Sequence, residues 1–118
     1  RTLFLDLEKE SPPAGKFDLI CASMCLHHVL DVEKVIKAFR SMIRKDGWLC
    51  ITDLDEEDGA FHGLDFKGHK GFHREELSNK LIEFGFRDIK FSTVYERKKE
   101  IGGVSRSFPI FLSVCRLA

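Results

Sequence analysis

Residues 17–55, FDLICASMCLHHVLDVEKVIKAFRSMIRKDGWLCITDLD, read as strand, amphipathic helix, strand, and that unit leaves the chain few folds to adopt. Two strands of one sheet joined through a helix almost always form a right-handed parallel crossover. The first run, residues 17–22, is nearly all apolar, as in a strand covered by helices on both faces. Asp31 is the expected N-cap of the helix. Val32, Val35, Ile36, Phe39, Met42 and Ile43 then recur at spacings of three and four, giving one apolar stripe. Lys34, Lys37, Arg40, Arg44 and Lys45 take the other face, and Gly47 is the expected left-handed stop. A strand resumes over residues 48–52. The parallel crossover brings residues 23–28 and 53–58 out at one edge of the sheet, where open parallel sheets bind ligands.

The remainder repeats this pattern once and then changes it. Residues 73–85 predict a second helix, with Leu77, Leu81, Ile82 and Phe84 apolar and Gly85 as its stop. Strands are expected over residues 86–95 and 108–117. Their link carries charges and the pair Gly102 and Gly103 but no helical stripe, so the simplest connection is antiparallel. This helix-free stretch argues against an all-parallel module of the response-regulator kind. Residues 8–16 and 57–72 read as loops, and the second, with His62 and His69 inside it and His73 beside it, is long enough for a lid or substrate contacts.

A chain of 118 residues is one domain with room for a core. Lys plus Arg and Asp plus Glu both number 19; this balance opposes a nucleic-acid groove or an anionic membrane surface, since both need a basic patch. The basic run from Arg97 to Lys99 lies between Glu96 and Glu100 and reads as a solvated hairpin tip. No apolar run reaches membrane-spanning length and no leader pattern occurs, so a soluble, cytoplasmic protein is expected. Cys21, Cys25, Cys50 and Cys115 fall in or beside apolar strands, where reduced thiols act as small hydrophobes. Cys21, Cys25, His27 and His28 are four potential zinc ligands in close sequence, but a strand leaving a sheet cannot easily wrap them around one ion, and no metal is expected. Tyr95 and Lys99 have the Y-x-x-x-K spacing of short-chain dehydrogenases. That chemistry needs a helix, and here the pair falls on a strand end and a charged turn.

In order and spacing these elements resemble the C-terminal part of a class I S-adenosylmethionine-dependent methyltransferase of the small-molecule type, along essentially the whole chain. RTLFLDL, residues 1–7, resembles the third strand of that fold, ending in the acidic residue beside adenine, here Asp6. GKFDLICASMCLHHV resembles its fourth strand with a following His-His pair, WLCITDLD its fifth, and FHREELSNKLIEFGF the helix and turn before its last antiparallel strands. The resemblance implies an α/β fold, a partial Rossmann-like sheet holding strands 3 to 7 of the family fold, with parallel strands and a final antiparallel one. It implies S-adenosylmethionine as cofactor and a small-molecule acceptor as partner. Asp6 and Leu7 would lie along adenine, and Ala22, Ser23 and Met24 along the methionine end. His27, His28 and Asp53 would position the acceptor or act as a general base, with Asp55 a further acidic strand end. Plainer roles exist for each: Asp6 capping a turn before Pro12, a histidine packed under the helix start, acidic residues capping strand ends.

The family's Gly-rich turn is not in this sequence, which contains no G-x-G-x-G and begins, without Met, where the third strand should begin. The expectation is that roughly the first half of the parent fold is missing, leaving residues 17–22 with an open apolar edge. A second copy, residues 1–7 or the missing half could pair there, the first giving a homo-oligomer. Two readings result: an enzyme that transfers methyl groups, or a catalytically silent half-domain acting as an interaction or dimerisation module.

Overall fold

Strands β1 (Phe17–Ser23) and β2 (Ile43–Leu54) lie side by side and parallel, joined through helix α1 (Val32–Met42), in a computed structural model that describes residues 2–63 and 65–118. Ser23 pairs with Thr52, so both polar strand ends reach one rim, as the crossover requires. Asp31 caps α1, its carboxylate accepting from the Lys34 amide at 3.1 Å. Val35, Ile36, Phe39 and Met42 press the apolar stripe into the core.

The end of α1 differs from the expectation. Ile43 is already extended (φ −89°, ψ 138°) and opens β2, and the left-handed residue is Asp46 (φ 62°) rather than Gly47. Gly47 is needed for space instead, because a Cβ there would lie 2.6 Å from Ile43 Cγ2 and 3.0 Å from the Asp18 carbonyl. Helix α2 (Arg74–Glu83) buries Leu77 and Leu81 and is followed by Gly85 at φ 91°, as read. Ile82, expected in the stripe, faces solvent.

The sheet runs β1-β2-β4-β3. Only β1 and β2 are parallel; β4 (Val104–Leu117) returns antiparallel between β2 and β3 (Phe86–Ile101). Both β3 and β4 extend beyond their expected bounds, leaving Gly102 and Gly103 as the entire turn. Both glycines have positive φ (60° and 79°), the geometry that lets a two-residue loop follow the twist of its strands. The charged residues 96–100 therefore form a wet strand arm, where no apolar alternation is needed to hold the ladder.

Two expectations about the first strands are corrected. Residues 2–7 form no strand; Arg1, its expected start, lies outside the described residues. The chain turns at Asp6 instead, whose carbonyl accepts from the amides of Lys9 (3.1 Å) and Glu10 (2.8 Å). The sheet thus has four strands among the described residues rather than the expected five, and the outer side of β1 is a free edge. Nor is β1 covered on both faces. α1 and α2 cover one face through Ala22, Leu49, Ile51, Phe111 and Cys115, whereas on the other Leu19 and Trp48 are 52% and 42% exposed. No helix among the described residues is long and apolar enough to cross a membrane.

All four cysteines are free thiols. Burial, and then the neighbouring Cys50, pushes the Cys115 thiol up to about 12 from its ordinary 9.0. The unfolded chain then gives up this proton first. Stability is full below pH 9 and falls between pH 9 and 12 by about 1.4 kcal/mol per pH unit at most from this group. Cys115→Ala should lower stability at neutral pH through a cavity yet flatten this alkaline limb. An unchanged slope in denaturant titrations across that range would assign the limb elsewhere.

Candidate functional site

Where β1 and β2 end, Thr52 Oγ1 donates to Ser23 Oγ at 2.7 Å and the Met24 amide donates to the Thr52 carbonyl at 2.8 Å. Met24 adopts φ 51°, breaks the strand, and hands the chain to a single 3-10 turn, Leu26–His28. This turn carries the His27 ring back beneath the rim, where it is buried beside a fully buried Asp53. Asp53 accepts from His27 Nδ1 at 2.6 Å, from the His27 amide at 3.1 Å and from the Leu54 amide at 2.8 Å. A carboxylate only accepts, so His27 Nδ1 carries a proton; in the neutral ring Nε2 then keeps a lone pair.

That lone pair points at the long loop. His62 Nε2 lies 3.0 Å from His27 Nε2, and the exposed His28 ring stands 4.2 Å from the His27 ring between centroids. Phe66 stacks on His62 at 4.0 Å and meets His28 edge-on at 5.3 Å. Burial, then the neighbouring imidazoles of His27 and His28 and the Lys99 ammonium, holds the His62 imidazole below its ordinary value, favouring its neutral form.

The loop is fastened at both ends. On the β2 side the Phe72 amide donates to the Leu54 carbonyl (2.8 Å), the Glu56 amide to Phe72 (3.0 Å) and the His69 amide to His27 (2.7 Å). On the far side the β3–β4 arm grips it. Lys99 Nζ sits 4.4 Å over the Phe61 ring and donates to the Phe61 carbonyl, and Arg106 pairs with Asp58 at 3.1 Å. The Ala60 amide, then Arg106, holds the Asp58 carboxyl below its ordinary value.

The structure sorts the expected residues. His27, His28 and Asp53 come together. Asp55 does not join them: it is held bidentate by Arg74 (2.7 and 2.8 Å), which also donates to Thr93 Oγ1 at 2.8 Å, tying β2 to α2 and β3. Asp6, Leu7, Ala22 and Ser23 line one cleft of about 430 Å³, with Val29, Val35 and Phe39 in its wall. Asp6 also serves its plainer role there, accepting from the Glu8 amide at 2.9 Å. Met24, at φ 51°, does not line that cleft and packs instead against Leu54, Phe108 and Ile110. His73 stands exposed at the start of α2 without a side-chain capping bond. Tyr95 and Lys99 both lie on β3, four positions apart along a strand rather than one turn apart on a helix.

His62, expected only as a loop residue able to meet substrate, touches His27, and Phe66 and Lys99, which complete the site, escaped the sequence reading. Its one signal is glycine placement, since a Cβ on Gly68 would overlap the His27 carbonyl and the Phe66 ring.

Residues 4–91 match the family model described as a methyltransferase domain. A polyketide synthase-nonribosomal peptide synthetase, TwmB of Talaromyces wortmannii, is 31% identical over 127 aligned positions, covering 92% of this chain and 4% of that protein. Among solved structures, a S-adenosylmethionine-dependent methyltransferase of Thermotoga maritima, described as a possible histamine N-methyltransferase, superposes with TM-score 0.71 at 17% identity, covering 95% of this chain and 61% of that one. The DszA carbon methyltransferase superposes with TM-score 0.63 at 17% identity, covering 96% and 32%. The chain spans less than a third of the length of the curated relatives it matches.

Proposed function

We infer, because this chain belongs to the methyltransferase domain family, that it serves S-adenosylmethionine-dependent methyl transfer to a small-molecule acceptor that must first lose a proton. The observation that carries this reading is the buried His27–Asp53 pair, whose imidazole Nε2 faces the long loop beside His62. The cleft beside it suits the cofactor in chemistry: the acidic Asp6 with Leu7 would take the adenine side, and Ala22 with Ser23 the methionine side. Bound there, S-adenosylmethionine supplies a methyl group on a sulfonium, already a good leaving group.

The protein's part is positioning and one proton. The acceptor takes the place of the His62 ring at His27 Nε2, which receives its proton. The electron pair so freed forms the new bond to the methyl carbon, and the carbon–sulfur pair stays on sulfur. Asp53 holds the ring in the tautomer that can accept and stabilises the imidazolium that results. Phe61 and Phe66 in the clasped loop shield the rim from water.

An acidic carbon between two carbonyls is the acceptor we favour. The likeness to a polyketide synthase and to a carbon methyltransferase supports it, as does a base more capable than an already nucleophilic amine requires. Transfer of labelled methyl from S-adenosylmethionine to a β-ketoacyl thioester, with histamine as the competing acceptor, tests it. Label on the carbon between the carbonyls is expected; label on histamine alone would move the acceptor to the amine class. The second reading, a silent half-domain that pairs through the free edge of β1 as a dimerisation module, is favoured by the exposed Leu19 and Trp48 beside that edge. It predicts no transfer to either acceptor and no heat on titration with S-adenosylmethionine.

A further inference from the structure

We propose that His27, His28 and His62 form a site for a divalent transition metal of the zinc class. One ring nitrogen from each of the three lies within 4.8 Å of the others. His27 and His62 meet through their Nε2 atoms at 3.0 Å. Two imidazoles bound to one tetrahedral zinc at about 2.0–2.1 Å hold their nitrogens about 3.3–3.4 Å apart, so the rings need to part by only a few tenths of an ångström.

The three ligands are unequally prepared. His27 is fixed: its ring is buried, and Asp53 grips Nδ1 at 2.6 Å, which aims Nε2 at His62. A carboxylate on the far nitrogen is the usual support of a metal-bound histidine, setting its tautomer and raising its basicity. His28 and His62 are exposed rings that can swing onto an ion. With nitrogen donors alone, the set suits Zn²⁺, Ni²⁺, Cu²⁺ or Co²⁺ over the oxygen-seeking Mg²⁺ and Ca²⁺. Three protein ligands leave a fourth tetrahedral position for water or another ligand. His28 and His62 come from segments 34 positions apart in sequence, so an ion would also pin the long loop to the 3-10 turn. An ion on His27 Nε2 uses the lone pair that proton removal needs. Metal and base therefore exclude each other there, a consequence that rests on the methyl-transfer reading, whereas the binding itself does not.

The test is titration of the whole chain with Co²⁺, without cofactor or acceptor, followed by its visible absorption and by displacement with Zn²⁺. One equivalent should bind, giving the intense bands of tetrahedral Co²⁺. His62→Ala and His28→Ala should each weaken binding by about 10-fold or more, with circular dichroism unchanged. His73→Ala, exposed and outside the cluster, should bind as the parent does. Failure to saturate at one equivalent, or undiminished affinity in His62→Ala, would overturn the proposal and reduce the 3.0 Å contact to a hydrogen bond between two neutral rings. Because neither methyl donor nor acceptor is present, these outcomes leave the methyl-transfer reading to stand or fall on its own assay.

Discussion

Replacing His27 with glutamine should, on the methyl-transfer reading, lower the rate by about 10²- to 10⁴-fold, the usual weight of a positioned general base, while leaving the protein folded. The glutamine amide can still donate to Asp53 in the buried slot, but no nitrogen in it takes up a proton near neutral pH. The loss should fall on kcat for acceptors that need deprotonation. Retention of more than about a tenth of the parent rate would remove the base assignment. Asp53→Asn tests the partner from the other side. Both carboxylate oxygens accept from buried amides, of His27 and Leu54, as well as from the His27 ring. An amide group must turn its NH₂ toward one of these donors. If toward the ring, the imidazole flips tautomer and Nε2 carries the proton, leaving no lone pair at the rim; if toward the Oδ2 side, the His27 amide loses its acceptor. Either placement leaves a buried amide, of Leu54 or of His27, unsatisfied at a cost of about 1–3 kcal/mol, and the first also brings a large fall in rate. Asp53→Ala strands all three donors and should cost more stability than the asparagine variant, measured by denaturant unfolding.

Local pattern and chain direction were enough to place one half of the site. The 3.6-residue stripe of α1, its Asp31 cap and the handedness of a crossover bring Ser23 and Asp53 to one rim without any long-range information. What failed was whatever depended on a distant partner. Residues 2–7 alternate and are rich in leucine, but a strand exists only beside another, and at Asp6 the chain bonds to itself in a turn rather than to β1. The charges of residues 96–100 concealed a strand whose real signature was the pair of glycines at its end. Asp53 and Asp55 look equivalent in sequence, two apart on one strand; Arg74, from the next helix, makes Asp55 a tie and leaves Asp53 to the histidine. His62 lies 35 positions from His27, and no periodicity can report that they touch. Met24, next to Ser23 in sequence, packs with Leu54, Phe108 and Ile110 rather than in the cleft with Ser23, and no periodicity reports its left-handed φ.

Gly71→Ala should detach the long loop and with it His62. Gly71 has φ 76°, and a Cβ there would overlap the Asp55 carbonyl. The obstacle is backbone, so no side-chain rotation relieves it. Asp55 is in turn held by its bidentate pair with Arg74, which keeps β2 from yielding. The loop must move instead, giving up the bridge between Asp55 and Phe72 and the bonds that join Glu56 and Leu54 to Phe72. Gly63→Ala is the matched control: φ is 88° there, but nothing lies within 4 Å of the added carbon. That variant bears only the left-handed penalty, about 1–2 kcal/mol. Protease should therefore cut residues 57–72 much faster in Gly71→Ala than in Gly63→Ala, with circular dichroism of the remaining sheet and helices unchanged. Methyl transfer and Co²⁺ affinity should fall with loop attachment in the first variant and stay near the parent's in the second. Equal behaviour of the two would mean that the loop is not seated against Asp55, and the path by which His62 reaches His27 would be lost with it.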